Sequence, residues 1–460
     1  YYIDFTGGDF SLDGSSFAQS QGSVGTNPPD VSDTAYFAEC FHAVQVLIGK
    51  SELLAGHDIS AGGMITALLE MCFPSVDIGM DLDLSEIPES DIVKLLFSEK
   101  PGVLVQVRDK QTAHEIFEKF DVKAYHIGQV NESHAIDLRH RGRRFQLDIK
   151  DFRNAWYKSS YLMDARQRDE AHARERYENF SQQPLHFKFP ENFAGNLSDL
   201  GLTHRRKDIS GINAAIIREK GVNGDREMAW CLYQAGFNVK DVHMTDLISG
   251  REDLTDIQMV VFVGGFSNSD VLGSAKGWAG AFIYNEKANK ALKDFYARED
   301  TMSLGVCNGC QLMMELDLIY PGKKNHPKMQ HNSSHKFESA FVNVNIPHSP
   351  SIMMDGISGC RLGVWLAHGE GRFELPEDSD AYHIAATYSY ESYPGNPNGS
   401  DYSAAAVTSA DGRHLAIMPH LERSLYTWNW PHYPEQRKDD EVSPWVLPFV
   451  NAYQWILSKM

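Results

Sequence analysis

The stretch MSLGVCNGC, residues 302–310, decides the fold and singles out one thiol. Its first residues form a short, mostly apolar run typical of a buried strand, and a helix is predicted to start near Cys310. Gly305 and Gly309 flank Cys307 with the spacing of a nucleophile elbow, a strand-to-helix turn too tight for larger side chains. We therefore predict that Cys307 lies above a sheet at a helix N-terminus, where amide groups and the helix dipole favour a thiolate.

The residues around this turn alternate between strand and helix patterns. Strands are predicted at Ile212 to Ile217, Phe237 to His243 and Met259 to Val263, and helices at Glu227 to Ala235 and Ala288 to Ala297. This alternation predicts a parallel sheet with helices on both faces. Ligands of such sheets bind at the carboxyl ends of the strands, which is where the pattern places the thiol.

A second stretch, LAIMPHLER at residues 415–423, offers a general base. An apolar strand ends at Pro419, and His420 and Glu422 follow with one residue between them. Residues two apart in an extended segment point to the same side, so we expect the carboxylate to contact the imidazole and fix its tautomer. A nucleophilic cysteine needs such a base and such an orienting acid.

Other interpretations of Cys307 remain open at this point. With Cys310 it forms a C-x-x-C, which is also found in redox pairs and zinc sites, although no second cysteine pair follows. A buried structural cysteine is another alternative. The combination of the elbow with His420 and Glu422 favours catalysis. The six cysteines are scattered through the chain, as in proteins of a reducing compartment, so we predict a cytoplasmic location.

The strings GVCNGCQ and MPHLER together resemble the class I glutamine amidotransferases. The resemblance implies that Cys307 is the nucleophile, His420 the base and Glu422 the orienting acid. It also implies an oxyanion hole made by the backbone N–H groups of Asn308 and Gly265, the latter in a glycine loop that follows a predicted strand.

Four further strings resemble one family within that class, the phosphoribosylformylglycinamidine synthases of the large type. They are AAIIREKGVNGDRE at 214–227, GGFS at 264–267, AHGEGR at 367–372 and YPGNPNGS at 393–400. The resemblance implies that glutamine supplies ammonia for the ATP-dependent amination of formylglycinamide ribonucleotide. Another class I amidotransferase, a cysteine protease and a non-catalytic regulatory module are the alternatives.

Near the N-terminus, GHDISAGG at 56–63 resembles the synthetase part of the same family. That part has the fold of aminoimidazole ribonucleotide synthetase. The resemblance implies that Asp58 binds Mg²⁺ and that Ser60 contacts the nucleotide, and a carboxylate is a suitable hard ligand for this ion. An aspartate that caps the helix at Gly62 is the structural alternative. The loop departs from the family pattern at Ala61, and LDGSS at 12–16 departs at its aspartate, so we assign no role there.

Together these patterns predict an α/β protein with two domains. A class I amidotransferase domain with a flavodoxin-like doubly wound sheet is expected at residues 206–460. An α+β domain like the C-terminal half of aminoimidazole ribonucleotide synthetase is expected at residues 1–155, and residues 156–205 are expected to connect the two. Trp156, Phe187 and Phe189 in that connection suggest that it packs on a neighbour.

Length and charge agree with this organisation. A chain of 460 residues is too long for one core. Its net charge of −19 argues against a protein that binds nucleic acid or anionic membranes, and no apolar run is long enough for a membrane span. The first residues lack methionine and resemble mid-strand sequence, so we expect that the chain was cut from a longer polypeptide. The family resemblance implies that N-terminal synthetase domains of the same polypeptide are missing and that the full-length enzyme is a monomer.

Overall fold

The structure is a computed structural model that describes residues 1–75, 77–206 and 209–460. The chain forms two compact units, Tyr1–Met163 and Asp164–Met460. The division falls inside one helix, Ile149–Gln167, rather than in an extended linker. The predicted boundaries at 155 and 205 stay a prediction.

The first unit contains two four-stranded sheets within the described residues. The strands are β1 (Tyr2–Asp4), β2 (Leu53–Asp58), β3 (Gly79–Asp83), β4 (Gly102–Val107), β5 (Ala124–Tyr125), β6 (Gly128–Asn131), β7 (Ala135–His140) and β8 (Arg143–Asp148). One sheet has the order β2–β4–β1–β5 and is antiparallel. The other has the order β6–β3–β7–β8 and pairs β3 with β7 in parallel. Strands β7 and β8 form a hairpin that turns at Arg141-Gly142.

Helices pack on these sheets to complete an α+β unit. They are α1 (Ser16–Ser20), α2 (Thr34–Gly49), α3 (Gly63–Cys72), α4 (Ile92–Phe97), α5 (Lys110–Lys119) and α6 (Ile149–Gln167), whose end belongs to the second unit. Aspartate side chains at positions 33, 91 and 109 cap α2, α4 and α5 by accepting hydrogen bonds from free N–H groups. Such caps explain where these helices begin.

The second unit is built on a nine-stranded sheet. Its strands are β9 (Asn213–Arg218), β10 (Asn238–His243), β11 (Met259–Phe262), β12 (Met302–Val306), β14 (Glu338–Asn345), β15 (Arg361–His368), β17 (Ile384–Tyr388), β18 (Ala404–Thr408) and β19 (His414–Ile417). A separate pair joins β13 (Lys328–Gln330) to β16 (Arg372–Glu374). The helices are α7 (Glu170–Asn179), α8 (Asp225–Ala235), α9 (Met244–Ser249), α10 (Lys276–Ile283), α11 (Glu286–Ala297), α12 (Asn308–Glu315) and α13 (Leu447–Leu457).

The order of this sheet, β10–β9–β11–β12–β19–β18–β17–β14–β15, shows where the prediction was incomplete. The strands from β10 to β19 in that order are parallel, as expected from the alternating pattern. The prediction did not extend to β18, β17, β14 and β15, which are antiparallel. Between α12 and α13 the described residues contain no α-helix, so these strands lack the helical crossovers that parallel neighbours require.

The centre of the sheet is completely buried and leads into the turn that carries Cys307. Every residue of β11 and β12 is buried, as in a parallel sheet covered on both faces. Phe262 of β11 packs edge-on against Trp278 and Phe282 of α10. The turn that follows β12 therefore starts from a closely packed, buried strand.

The described residues include no helix with both the length and the apolar character needed to cross a bilayer.

Candidate active site

Cys307 lies in the predicted turn between β12 and α12. The helix begins at Asn308, two residues earlier than expected. Cys307 has φ 52° and ψ −105°, a region that residues with side chains rarely occupy and that is found mainly at functional turns. A Cβ atom on Gly305 would lie 2.5 Å from the carbonyl oxygen of Gly309, and one on Gly309 would lie 1.9 Å from that of Phe262. Both glycines are thus required by close approach, as predicted.

His420 and Glu422 form a buried pair beside this turn. The His420 Nδ1 and Glu422 Oε1 atoms are 2.6 Å apart, and the residues are only 2% and 5% exposed. The His420 N–H donates to the carbonyl oxygen of Trp365 (2.7 Å), which fixes the backbone at the end of β19. The predicted contact is present, but its predicted cause is wrong. Leu421–Arg423 is a 3₁₀ turn rather than an extended segment, and the turn folds the carboxylate back onto the ring.

The electrostatics of this pair favour a protonated imidazole. Burial lowers the pKa of His420, but the negative charges of Glu422 and of a Cys307 thiolate outweigh burial and raise that pKa from 6.5 to about 10. The Nδ1–H donates to Glu422, so the second ring nitrogen is available toward the thiol. The Cys307 thiol also donates a weak hydrogen bond to the carbonyl oxygen of Ala367 (3.5 Å).

Both predicted oxyanion donors lie near Cys307: Asn308 is the next residue, and Gly265 lines the same cavity. Asn308 is the first residue of α12, so its N–H has no acceptor within the helix. Gly265 has φ 134° and lines the same cavity as Cys307 and His420. At Gly264, an added Cβ would lie 2.8 Å from Cε1 of His420. The glycine loop therefore closely approaches the base, while the role of its N–H groups stays a prediction.

A cavity of about 230 Å³ opens in front of the thiol. Its lining combines the predicted loops with residues from three other segments. The lining residues are Asn223, Gly265, Phe266, Asp270, Ser274, Cys307, Gln311, Phe337, Ala367, His368, Gly369, Glu370, His420 and Arg423. Of the predicted site residues in the second unit, the structure brings Cys307, His420 and Gly265 to this cavity and Glu422 directly behind His420.

A buried amide that the sequence analysis missed holds the end of β15 over the thiol. Asn332 donates from Nδ2 to the carbonyl oxygens of His368 (2.7 Å) and Lys336 (2.9 Å), and its Oδ1 accepts the N–H of Gly371 (2.9 Å). Oδ1 also lies 3.2 Å from Nδ1 of His368. Because Nδ2 already faces two carbonyls, Oδ1 must be the acceptor and His368 must carry its proton on Nδ1. The sequence analysis identified the partners of Asn332 at residues 367–372, through the string AHGEGR, but not Asn332 itself.

A charged cluster adjoins that amide and connects it to the start of the unit. Glu338 accepts from Ser334 Oγ (2.6 Å), Arg168 (3.1 Å) and Arg176 (3.3 Å), and both arginines also bond the hydroxyl of Tyr393. Glu338 is only 5% exposed, so the two guanidinium groups compensate a buried charge. No sequence pattern indicated this contact, because the partners are 162 and 170 residues apart.

Asp58 and Ser60 lie in the first unit, at the end of β2 and in the following turn. Both are exposed, and the side chain of Asp58 is 77% accessible. Asp58 does not cap α3, whose N-cap is Gly62 without a side-chain hydrogen bond. Within the parts of the chain that the structure describes, no three His, Cys, Asp or Glu side chains converge to hold a metal ion. Asp58 can therefore contribute one oxygen ligand, and not a complete cage.

Two family models match the chain. Residues 212–456 match the CobB/CobQ-like glutamine amidotransferase domain, and residues 6–141 match the C-terminal domain of AIR synthase related proteins. The two matches follow each other in the predicted order, and each falls within one of the two units described above. The predicted fold class is confirmed.

Curated relatives are similar along nearly the whole chain. A protein of Arabidopsis thaliana named "probable phosphoribosylformylglycinamidine synthase, chloroplastic/mitochondrial" is 38% identical over 99% of this chain and 34% of its own length. The phosphoribosylformylglycinamidine synthases of Dictyostelium discoideum and Homo sapiens are 36% and 34% identical, over 98% and 99% of this chain. These last two matches each cover 36% of the relative, so the chain spans about a third of the length of these proteins.

Solved structures are similar at a lower level. One titled "Structure of PurLQS from Thermotoga maritima" is 22% identical, with a TM-score of 0.42 over 54% of this chain and 99% of that one. A glutamine amidotransferase of the same organism is 14% identical, with a TM-score of 0.33 over 54% and 97%.

Proposed function

The chain belongs to the CobB/CobQ-like glutamine amidotransferase family and is a relative of phosphoribosylformylglycinamidine synthases along almost its whole length, and on this premise we propose that it hydrolyses glutamine with Cys307 as nucleophile. The observation that carries the proposal is the buried His420–Glu422 pair beside a thiol held at positive φ on a helix N-terminus. These are the parts that nucleophilic catalysis by cysteine requires.

The first chemical step is attack of the Cys307 thiolate on the carboxamide carbon of glutamine. The oxyanion that forms is stabilised by the backbone N–H groups of Asn308 and Gly265. Asn308 suits this role because its side chain is already engaged, with Oδ1 accepting from the Ser267 N–H (3.2 Å) and Nδ2 donating to Gln311 (2.9 Å). Donors fixed in this way stabilise a developing charge without reorganising.

His420 transfers the protons. Its raised pKa keeps the imidazole protonated at neutral pH, so it can donate a proton to the departing ammonia. The neutral ring that results then accepts a proton from water, which attacks the thioester and releases glutamate. Glu422 holds the ring through Nδ1 and stabilises its positive charge throughout, as the acid of a catalytic triad does.

We further propose that the natural protein uses this ammonia to aminate formylglycinamide ribonucleotide. ATP activates the amide oxygen of that substrate, and the products are the amidine, ADP and phosphate. Internal transfer keeps ammonia from protonation by bulk water. The proposal is supported by the names of the relatives and by the two family matches in sequence order. The glutaminase resides in this chain, together with part of the synthetase.

The proposed ATP and magnesium roles belong to Asp58 and Ser60. Mg²⁺ in proteins commonly takes one or two carboxylates and completes its shell with phosphate and water, which suits a single exposed aspartate. When bound, the ion neutralises phosphate charge. Ser60 lies two residues further on, with its carbonyl oxygen accepting from the Gly63 N–H (2.9 Å) and its side chain exposed.

We propose that the full-length protein is a cytoplasmic monomer. We also propose that it does not bind nucleic acid, because its net charge is negative. The organelle names of the Arabidopsis relative apply to that protein.

The test uses the natural full-length protein as wild type, Cys307→Ala and Cys310→Ala. Amination of formylglycinamide ribonucleotide is measured with glutamine or with ammonium as the nitrogen donor. We expect Cys307→Ala to lose glutamine use and to keep ammonium use. Cys310 is the matched control, because it is a buried thiol three residues away that has no assigned role.

Each other result has a defined meaning. If Cys307→Ala still uses glutamine, the nucleophile is misassigned. If Cys310→Ala loses glutamine use like Cys307→Ala, the C-x-x-C interpretation regains support. If the wild type aminates this substrate with neither donor, the proposed pathway must be abandoned.

A further inference from the structure

Two carboxylates line the cavity in front of Cys307, and a single serine bonds both. The Ser274 N–H donates to Oε2 of Glu370 (3.2 Å), and the Ser274 hydroxyl donates to Oδ2 of Asp270 (3.4 Å). All three residues line the cavity. The proposed hydrolysis gives neither acid a chemical role, so their position calls for another explanation.

The two acids are under-compensated by positive charge. Oδ1 of Asp270 is buried and has no hydrogen-bond partner among the described residues. Burial raises the pKa of Asp270, and the negative charge of Glu370 raises it further. Glu370 lies 3.9 Å from Nδ1 of the 67% exposed His331, and a histidine carries a positive charge only when protonated. Arg423 also lines the cavity, but it bonds the Asn223 side chain (2.8 Å).

The acids are held at a fixed position relative to the nucleophile. Asn308, next to Cys307, accepts the N–H of Ser267, which precedes the Asp270 loop (3.2 Å). Its Nδ2 donates to Gln311, and Gln311 donates to the carbonyl oxygen of Glu370 (2.7 Å). One continuous set of hydrogen bonds therefore links the elbow helix to both carboxylate-bearing loops.

A second unsatisfied acceptor lies in the same cavity lining. His368 is 2% exposed, and its Nε2 has no partner among the described residues. Because Nδ1 carries the proton toward Asn332, Nε2 presents a lone pair. Unpartnered buried acceptors of this kind are costly unless a ligand supplies N–H groups. The cavity therefore suits a ligand with nitrogen donors, and a positive charge on that ligand would compensate the acid pair.

On the basis of the proposed glutaminase function, we infer that Asp270 and Glu370 bind the α-ammonium group of free glutamine. The cation lies between the two carboxylates while the carboxamide reaches Cys307. Binding at this group selects free glutamine over amides that lack an α-amino group. It also selects against glutamine side chains whose α-nitrogen is part of a peptide bond, because that nitrogen is neutral.

The test compares two substrates that differ in one group. L-Glutamine and glutaramate, the monoamide of glutaric acid, share the reacting carboxamide, but only glutamine has the α-amino group. Ammonia release is measured for the natural full-length protein as wild type, Asp270→Asn and Glu370→Gln. Asp380→Asn is the control, because it changes an exposed carboxylate outside the cavity lining. Ammonium-dependent amination shows whether each variant remains folded.

We expect kcat/KM for glutamine to fall roughly 10- to 100-fold in either cavity variant, mainly through KM, because a charge-assisted hydrogen bond is lost. For glutaramate we expect a change of less than about threefold, since that substrate has no cation to lose. The preference for glutamine should thus collapse in Asp270→Asn and Glu370→Gln and remain in Asp380→Asn.

Two results would overturn the inference alone. They are an unchanged preference in both cavity variants, and an equal loss with both substrates, which would indicate a structural role. A wild type that releases no ammonia from glutamine would instead overturn the proposed glutaminase function and the inference that rests on it.

Discussion

The substitution Glu422→Gln tests how the buried carboxylate supports catalysis. Glutamine keeps the size of the side chain and can still accept a hydrogen bond from Nδ1 of His420, 2.6 Å away in the wild type. It removes the negative charge that, with Cys307, raises the pKa of His420 from 6.5 to about 10 against the effect of burial. The variant therefore separates the charge of Glu422 from its shape.

The size of the effect follows from the fraction of imidazolium. With a pKa of about 10, nearly all His420 is protonated at pH 8. If the pKa returns to its ordinary value, only about 3% is protonated at pH 8 and about half at pH 6.5. We therefore expect a loss of about 30-fold at pH 8 and about twofold at pH 6.5 from protonation alone. Continued burial of the ring would enlarge both losses.

The assay is glutamate release from glutamine between pH 6 and 9, compared with wild type and with Glu315→Gln. Glu315 is an exposed carboxylate at the end of α12 and serves as the control. The wild type should keep its activity across this range, and Glu422→Gln should lose more of it as the pH rises. A variant defect of equal size at every pH would refute the electrostatic argument and leave only a role in orienting the ring.

Two further predictions concern the glycine loop and a buried histidine. Gly264→Ala places a methyl group about 2.8 Å from His420 Cε1, so glutamine hydrolysis should fall at least about tenfold without a large change in Tm. In the control Gly280→Ala, the added methyl group meets only ordinary van der Waals contacts, and activity should be retained. His414 donates or accepts at Ser303 Oγ (2.9 Å), and burial lowers its pKa to about 4. As the pH falls below 6.5, the unfolded chain binds a proton at His414 that the folded state does not bind. The free energy of unfolding therefore decreases, by about 2 kcal/mol at pH 5. Urea unfolding at pH 7.5 and pH 5 should show a smaller pH effect in His414→Gln, and an identical pH effect would contradict this reasoning.

Patterns that are local in the sequence were predicted well. The elbow around Cys307 is specified by two glycines within nine residues, and both are required by the contacts that the structure shows. His420 and Glu422 are two residues apart, so their contact follows for either an extended segment or a tight turn. The predicted strands before Cys307 are also present, because parallel strands buried on both faces are marked by continuous apolar runs.

Features that depend on distant residues could not be predicted. The antiparallel half of the sheet pairs β14 with β17 and β18 with β19, and such pairings leave no distinct period in the sequence. Asn332 is an ordinary polar residue until the fold brings it to the end of β15. Likewise, Asp270 and Glu370 lie a hundred residues apart and are brought together in the fold, where Ser274 bonds both.

The charged cluster around Glu338 determines where an excised glutaminase could begin. A fragment that started at residue 206, the predicted domain boundary, would lack Arg168 and Arg176 and leave the carboxylate of Glu338 without its cations. Losing the partners of a buried charge costs roughly 3–5 kcal/mol, a large part of the stability of a typical domain. A glutaminase fragment that keeps this cluster must therefore begin no later than the last turn of α6, near Asp164 where the second unit begins, so that the cut falls within a helix.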